Sequence, residues 1–269
     1  MRLDHEKLQV YQRALSFNAK VCQWVSCWDK RHAICDQMDR AAGSILENIA
    51  MSSASRSRGK IRCIGYAVGS TLECAACLDL SRVKGLLSPE VVRVEKHEVL
   101  QIVRMLIGLR KAWSAKSVCM EDRPWFAGDD DTMFHHERLD VYRHALGVVK
   151  LLAESKSIHH LTDGGFRRLD ELSTSMVLNI AEGNGRYSDA EQYRFAKVSH
   201  ESAVKLAARL DLLMIRGLIP LHEVEVIKAC LVRVSAMLIA MSPEDQYVES
   251  PAKLTTKLAT KGPVSRAYS

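Results

Sequence analysis

Apolar residues in this chain recur at steps of three and four. Leu139, Tyr142, Leu146, Val149 and Ala153 form one such series, Ile227, Leu231, Val234, Leu238 and Met241 a second, and Val99, Ile102, Leu106 and Leu109 a third. That spacing lays a stripe along a helix, the seam of helices packed nearly parallel in a bundle. No segment alternates apolar and polar residues long enough to be a strand, and the six prolines (89, 124, 220, 243, 251, 263) fall at expected boundaries or in the tail. The chain reads as all-α, with helices expected near 5–26, 34–54, 57–84 and 88–115, then 136–155, 164–183, 188–216 and 220–242.

The two sets are copies. His5-Glu6-Lys7-Leu8-Gln9-Val10-Tyr11 recurs as His136-Glu137-Arg138-Leu139-Asp140-Val141-Tyr142, an offset of 131 that also carries Ser44 to Ser175 and Asn48-Ile49-Ala50 to Asn179-Ile180-Ala181. From Leu78-Asp79-Leu80 to Leu210-Asp211-Leu212 the offset is 132, so one residue is inserted between about 51 and 58. The expected organisation is two tandem four-helix bundles, each up-down-up-down: 1–115, a polar linker 116–133, 134–244, and a Ser/Thr/Lys/Pro-rich tail 245–269 expected to be disordered. Local signals set the boundaries. Ser88-Pro89-Glu90 reads as an N-cap followed by a first-turn proline, and Ser188-Asp189-Ala190-Glu191 as a capping box. Gly85, Gly217, and the pair Gly183 and Gly185 read as helix ends.

Composition then narrows the function. The 269 residues are 47% hydrophobic and 26% charged, values of an ordinary globular protein. The opening residues are already mixed in charge and no uninterrupted apolar run approaches a membrane span, so a cytoplasmic protein with no membrane partner is expected. The eight cysteines are irregularly spaced within helical pattern and read as small packing residues. Cys74 and Cys77 form a CxxC without a second pair at zinc-like spacing.

Charge is uneven. Residues 1–125 hold 20 Lys and Arg against 13 Asp and Glu, whereas residues 126–269 hold 18 against 19. Arg56, Arg58, Lys60 and Arg62 crowd a helix start, where cations oppose the helix dipole, and Arg104, Arg110 and Lys111 extend the set. They form the candidate nucleic-acid surface, on which phosphate contacts would dominate. With 6% aromatic residues, base stacking is not the expected device. No Glu-x-x-His pair, phosphate loop or nucleophile elbow is present. Catalysis, metal and cofactor are therefore not expected, Asp140 with His144 reads as a surface pair, and His135-His136 reads as exposed.

Leu139-x-Val141-Tyr142, the run Asn179-Ile180-Ala181-Glu182-Gly183-Asn184-Gly185-Arg186-Tyr187-Ser188, and Tyr193-Arg194-Phe195 resemble the four-helix-bundle proteins encoded in 23S ribosomal RNA intervening sequences. Relatives of that family include the accessory variability determinant of diversity-generating retroelements. The first unit keeps Asn48, but Met51-Ser52-Ser53-Ala54 replaces the Glu-Gly-x-Gly turn. The resemblance implies a non-enzymatic, usually oligomeric bundle, and the retroelement relatives are basic pentamers that bind reverse transcriptase and nucleic acid. Asn48, Asn179, Glu182, Gly183, Arg186, Ser188 and Arg194 are its structural motif positions; Asn179, Glu182 and Arg186, on one helix face and its exit turn, are expected to satisfy carbonyls at the helix end and lock the turn. The functional expectation is an adaptor binding RNA or DNA, a reverse transcriptase or another ribonucleoprotein; the alternative is a protein–protein scaffold or homo-oligomerisation module.

Overall fold

The computed structural model describes residues 3–55, 57–114, 134–185 and 189–241. Arg56, the expected linker, Arg186, Ser188 with its capping box, and the tail lie outside the described residues. Unit one comprises α1 (Gln9–Cys27), α2 (Ile34–Ala54), α3 (Ser57–Val83) and α4 (Pro89–Ser114). Unit two comprises α5 (Asp140–Glu154), a single turn α6 (Lys156–His159), α7 (Asp163–Asn184), α8 (Asp189–Ile215) and α9 (Leu221–Ala240). The chain is all-α: no strand occurs among the described residues. In each unit successive long helices pack on one another and the last returns to the first, closing a four-helix bundle.

Two features were not anticipated at the helix starts. Short 3₁₀ turns at Asp4–Lys7 and His135–Arg138 precede α1 and α5, because Leu8 and Leu139 are extended and break the helix. Glu6 and Glu137 each accept from the backbone N–H three residues back, at 2.8 and 2.9 Å, and close these turns. The helix ends follow expectation more closely. Gly85 and Gly217 both stand at φ 70°, and Leu86 N–H and Leu218 N–H reach back five residues to Ser81 O and Leu213 O, the Schellman closure that left-handed glycine permits. Gly183 does not end its helix; α7 continues through it to Asn184.

The core is one cluster running through both units. Its seam in α1 is Val10, Ala14, Phe17 and Val21, matched in α5 by Val141, Ala145, Val148 and Leu152. The expected α5 stripe through Leu139, Tyr142 and Val149 is therefore not the bundle seam. Tyr142 and Val149 are buried as a second stripe, because α5 and α7 both pack on α3 of the other unit. Contact on both sides also explains α3 itself. Arg58–Val83 is long and apolar enough to cross a membrane, but 72% of its apolar 18-residue window is buried inside the protein, as a central core helix requires.

Candidate nucleic-acid interface

The cations named from sequence come together on two helices. Arg58 and Lys60 lie in the opening turns of α3 with Arg62 just beyond, and Arg104, Arg110 and Lys111 lie toward the end of α4. These two helices pack together, and the Lys60 ammonium sits 4.4 Å from the centre of the Trp113 ring, which brings the α3 start beside the α4 end. Arg58, Arg62 and Lys111 are exposed; Lys60, Arg104 and Arg110 are half-buried. The first turn of α3 contains no acid, so its cations oppose the helix dipole at a cost of about 0.3–1 kcal/mol each. At the matched start in unit two, α8 carries Asp189 and Glu191 instead, the favourable sign. Positions matching Arg58, Lys60 and Arg104 are Ala190, Gln192 and Ala236, and only Arg62 finds a cation, Arg194. The cluster belongs to unit one alone.

The motif positions serve packing between helices. Asn179 Nδ2 donates to Ser175 O and Oγ at 2.7 and 3.2 Å, and Ser175 Oγ lies 3.0 Å from Ser202 Oγ on α8. Asn48, Ser44 and Ser70 repeat the arrangement in unit one at 2.8, 3.1 and 2.8 Å. The asparagine thus ties two helices one turn inside the bundle, where orphan carbonyls at a helix end were expected to hold it. Gly183 is a close-approach residue: a Cβ there would lie 2.8 Å from Phe195 Cβ. Glu182 is half-buried and Arg194 exposed.

Between the units lies a polar seam that sequence reasoning missed. Lys84 Nζ at the end of α3 donates to Asp170 Oδ1 at 2.6 Å and Thr174 Oγ1 at 2.8 Å on α7, while His32 Nδ1 and Ala33 N–H also reach Asp170, at 3.1 and 2.7 Å. Burial alone would raise the Asp170 carboxyl, but these partners hold it below its ordinary value; burial lowers Lys84 despite Asp170. Further along, Tyr142 OH donates to Asp79 Oδ2 at 3.1 Å, Lys96 Nζ to Asp79 Oδ1 at 2.8 Å, and Lys96 also pairs with Glu137. Burial, reinforced by Asp79, pushes the Tyr142 phenol well above its ordinary value.

His136 corrects an expectation. It is buried rather than exposed, stacked on Phe134 at 5.7 Å between ring centres and edge-on to Tyr142 at 4.8 Å, because unit one covers this corner. Burial lowers its pKa to about 3, and neither ring nitrogen has a hydrogen-bond partner among the described residues. Asp79, His136 and Glu137 offer ligand atoms within 4.8 Å of one another, donor types that suit a divalent cation; the Lys96 ammonium already supplies positive charge to both carboxylates. His135 instead meets Asn184 Oδ1 at 3.0 Å. His144 turns its ring to Asp140 O at 2.8 Å, a helix-backbone contact. Cys74 and Cys77 are fully buried and burial raises both thiols well above their ordinary value, which disfavours the thiolate that redox or metal chemistry uses.

Comparison with known proteins adds one finding. No curated protein and no solved structure matches the chain. The family described as 23S rRNA-intervening sequence protein matches twice, over residues 6–108 and 137–240, which are the two bundles just described. The chain belongs to the 23S rRNA-intervening sequence protein family as a tandem of two members.

Proposed function

We propose that the protein is a non-enzymatic cytoplasmic adaptor that binds nucleic acid, alone or within a nucleoprotein partner, through the cationic end of unit one. The observation that carries this reading is the contrast between the copies. One duplicate keeps acids at the third-helix start, where they favour the helix; the other holds Arg58 and Lys60 there, against the dipole. A placement that costs the fold and is reinforced by a second helix serves an anionic ligand. Phosphate contacts by these side chains give affinity without sequence preference.

A mobility-shift titration against single-stranded RNA and duplex DNA at several salt concentrations tests it. Binding should weaken linearly in log–log form, and replacing Arg58, Arg62 and Lys111 by glutamine should reduce the slope by about 2 on single-stranded RNA and about 3 on duplex DNA. No binding at low salt, or a slope unchanged by the triple substitution, overturns the reading.

A further inference from the structure

The corner where unit two meets unit one holds a polar side chain that nothing in the fold satisfies. His136 is 1% exposed, yet neither Nδ1 nor Nε2 has a hydrogen-bond partner among the described residues. Buried polar groups are nearly always paired, and an exception calls for a specific cause, a bound ion among them. Two acids stand beside this one. A ring nitrogen of His136, a carboxylate oxygen of Asp79 on α3 and one of Glu137 in the same 3₁₀ turn as His136 all lie within 4.8 Å of one another.

Each of the three is held in place by its surroundings. The imidazole stacks on Phe134 and meets Tyr142 edge-on. Asp79 accepts from the Tyr142 hydroxyl at 3.1 Å, and Glu137 from the Phe134 N–H at 2.9 Å. Outer contacts of this kind orient the ligands of a metal. The cation already there serves two of the three groups: Lys96 pairs with Asp79 and Glu137 and leaves His136 without a partner. A divalent ion takes a lone pair from all three at once. Lys96 also has somewhere to go, because it lines an open cleft of about 940 Å³ between α4 and α5.

We infer that Asp79, His136 and Glu137 form a binding site for a divalent transition-metal ion, zinc being the ion that suits the set, and that the metal displaces the Lys96 ammonium toward the cleft. One imidazole with two carboxylates fits Zn²⁺, whereas Mg²⁺ prefers oxygen ligands alone. Ligands about 2.0–2.2 Å from a tetrahedral zinc are about 3.4 Å apart, so the three side chains close by roughly an ångström on the ion. Water from the cleft completes the four. Asp79 belongs to unit one and the other two ligands to unit two, so the ion staples the units together. The proposal stands apart from nucleic-acid binding, which uses other residues.

Full-length protein stripped with EDTA and freed of chelator should bind one equivalent of Zn²⁺ in isothermal titration calorimetry, and Mg²⁺ far more weakly. His136→Leu keeps the ring's place apolar and should weaken Zn²⁺ binding more than about a hundredfold, beyond the loss that outer contacts cause. Co²⁺ should give d–d absorption without the thiolate charge-transfer band that the exposed Cys22 or Cys27 would add. Lys96→Met separates a metal site from a merely structural ion pair. It leaves two buried carboxylates without their cation and lowers the Tm of metal-free protein, but Zn²⁺ should bind this variant more tightly than wild type and restore the melt. Should the metal-free variant not fold, Zn²⁺ should restore its helical circular dichroism. Zn²⁺ affinity weaker than about 1 mM, binding unchanged by His136→Leu, thiolate bands with Co²⁺, or Lys96→Met that Zn²⁺ does not restore each overturns the inference.

Discussion

Gly183 offers a sharp quantitative test of how α7 meets α8. In an exposed helix interior, glycine to alanine stabilises by about 0.5–1 kcal/mol, since alanine loses less backbone entropy. At Gly183 the new methyl would stand 2.8 Å from Phe195 Cβ, with Gln192 O at an ordinary 3.5 Å. Overpacking of that kind costs about 1–3 kcal/mol. The clash wins, leaving Gly183→Ala destabilised by roughly 1 kcal/mol net, a drop of about 2–4 °C in Tm for a chain of this size. Because the opposing atom is a Cβ, the background matters in a particular way. Phe195→Ala keeps that atom and should leave the cost in place, whereas Phe195→Gly removes it and should turn Gly183→Ala stabilising by about 0.5–1 kcal/mol. Thermal melts of the single and double variants measure the coupling. An equal cost in both backgrounds would refute the close-approach account. The matched positions in unit one, Ser52 and Cys63, both carry a Cβ, so this approach is particular to unit two.

Other perturbations probe the seam between the units. Lys84→Met leaves Asp170 buried with only His32 and a backbone N–H and should cost about 3–5 kcal/mol in a denaturant titration; adding Asp170→Leu should recover most of it. Tyr142→Phe removes the proton donated to Asp79 and should cost about 1–3 kcal/mol, while Tyr11→Phe in monomeric protein should change stability little, since Tyr11 is only half-buried. His136 folds neutral, with a pKa of about 3 against about 6.5 in the unfolded chain. Between those values only the unfolded state binds its proton, so His136 makes stability fall with decreasing pH, by up to about 1.4 kcal/mol per unit. His136→Leu should flatten this acid limb in melts at pH 7, 6 and 5; an unchanged slope would refute a buried, neutral His136, because Asp170, held below its ordinary value, gives up its stabilisation only below about pH 5. Thiol titration of native protein should find Cys22 and Cys27, which are exposed, and spare Cys74 and Cys77 until unfolding.

Most of the architecture was legible because each copy corroborates the other: the offset located equivalent caps, and Gly85 with Gly217 marked the same turn twice. Periodicity misled on α5, where two apolar stripes compete. The stripe through Tyr142 and Val149 belongs to the neighbouring unit, and a single helical period cannot say which partner a stripe meets. The polar seam was hidden for a related reason. Asp79, Lys84, Lys96 and Asp170 look like ordinary helix-surface charges in sequence, and only long-range packing buries them. Burial of His136 had a faint signal in Phe134 and Tyr142 on either side, but its place next to the linker suggested solvent. The cationic cluster was legible in composition, and the fold added that α4 delivers its charges to the same end as α3.

The double-sided burial of α3 bears on synthesis. As the chain leaves the ribosome, α1 to α4 can close around one side of α3, but the side that meets α5 and α7 has no cover until about 100 residues later, when α7 ends at Asn184. At about 5–20 residues per second this interval is on the order of 5–20 s. During it the nascent first half displays an apolar helix, a substrate for chaperones and a hazard on crowded polysomes.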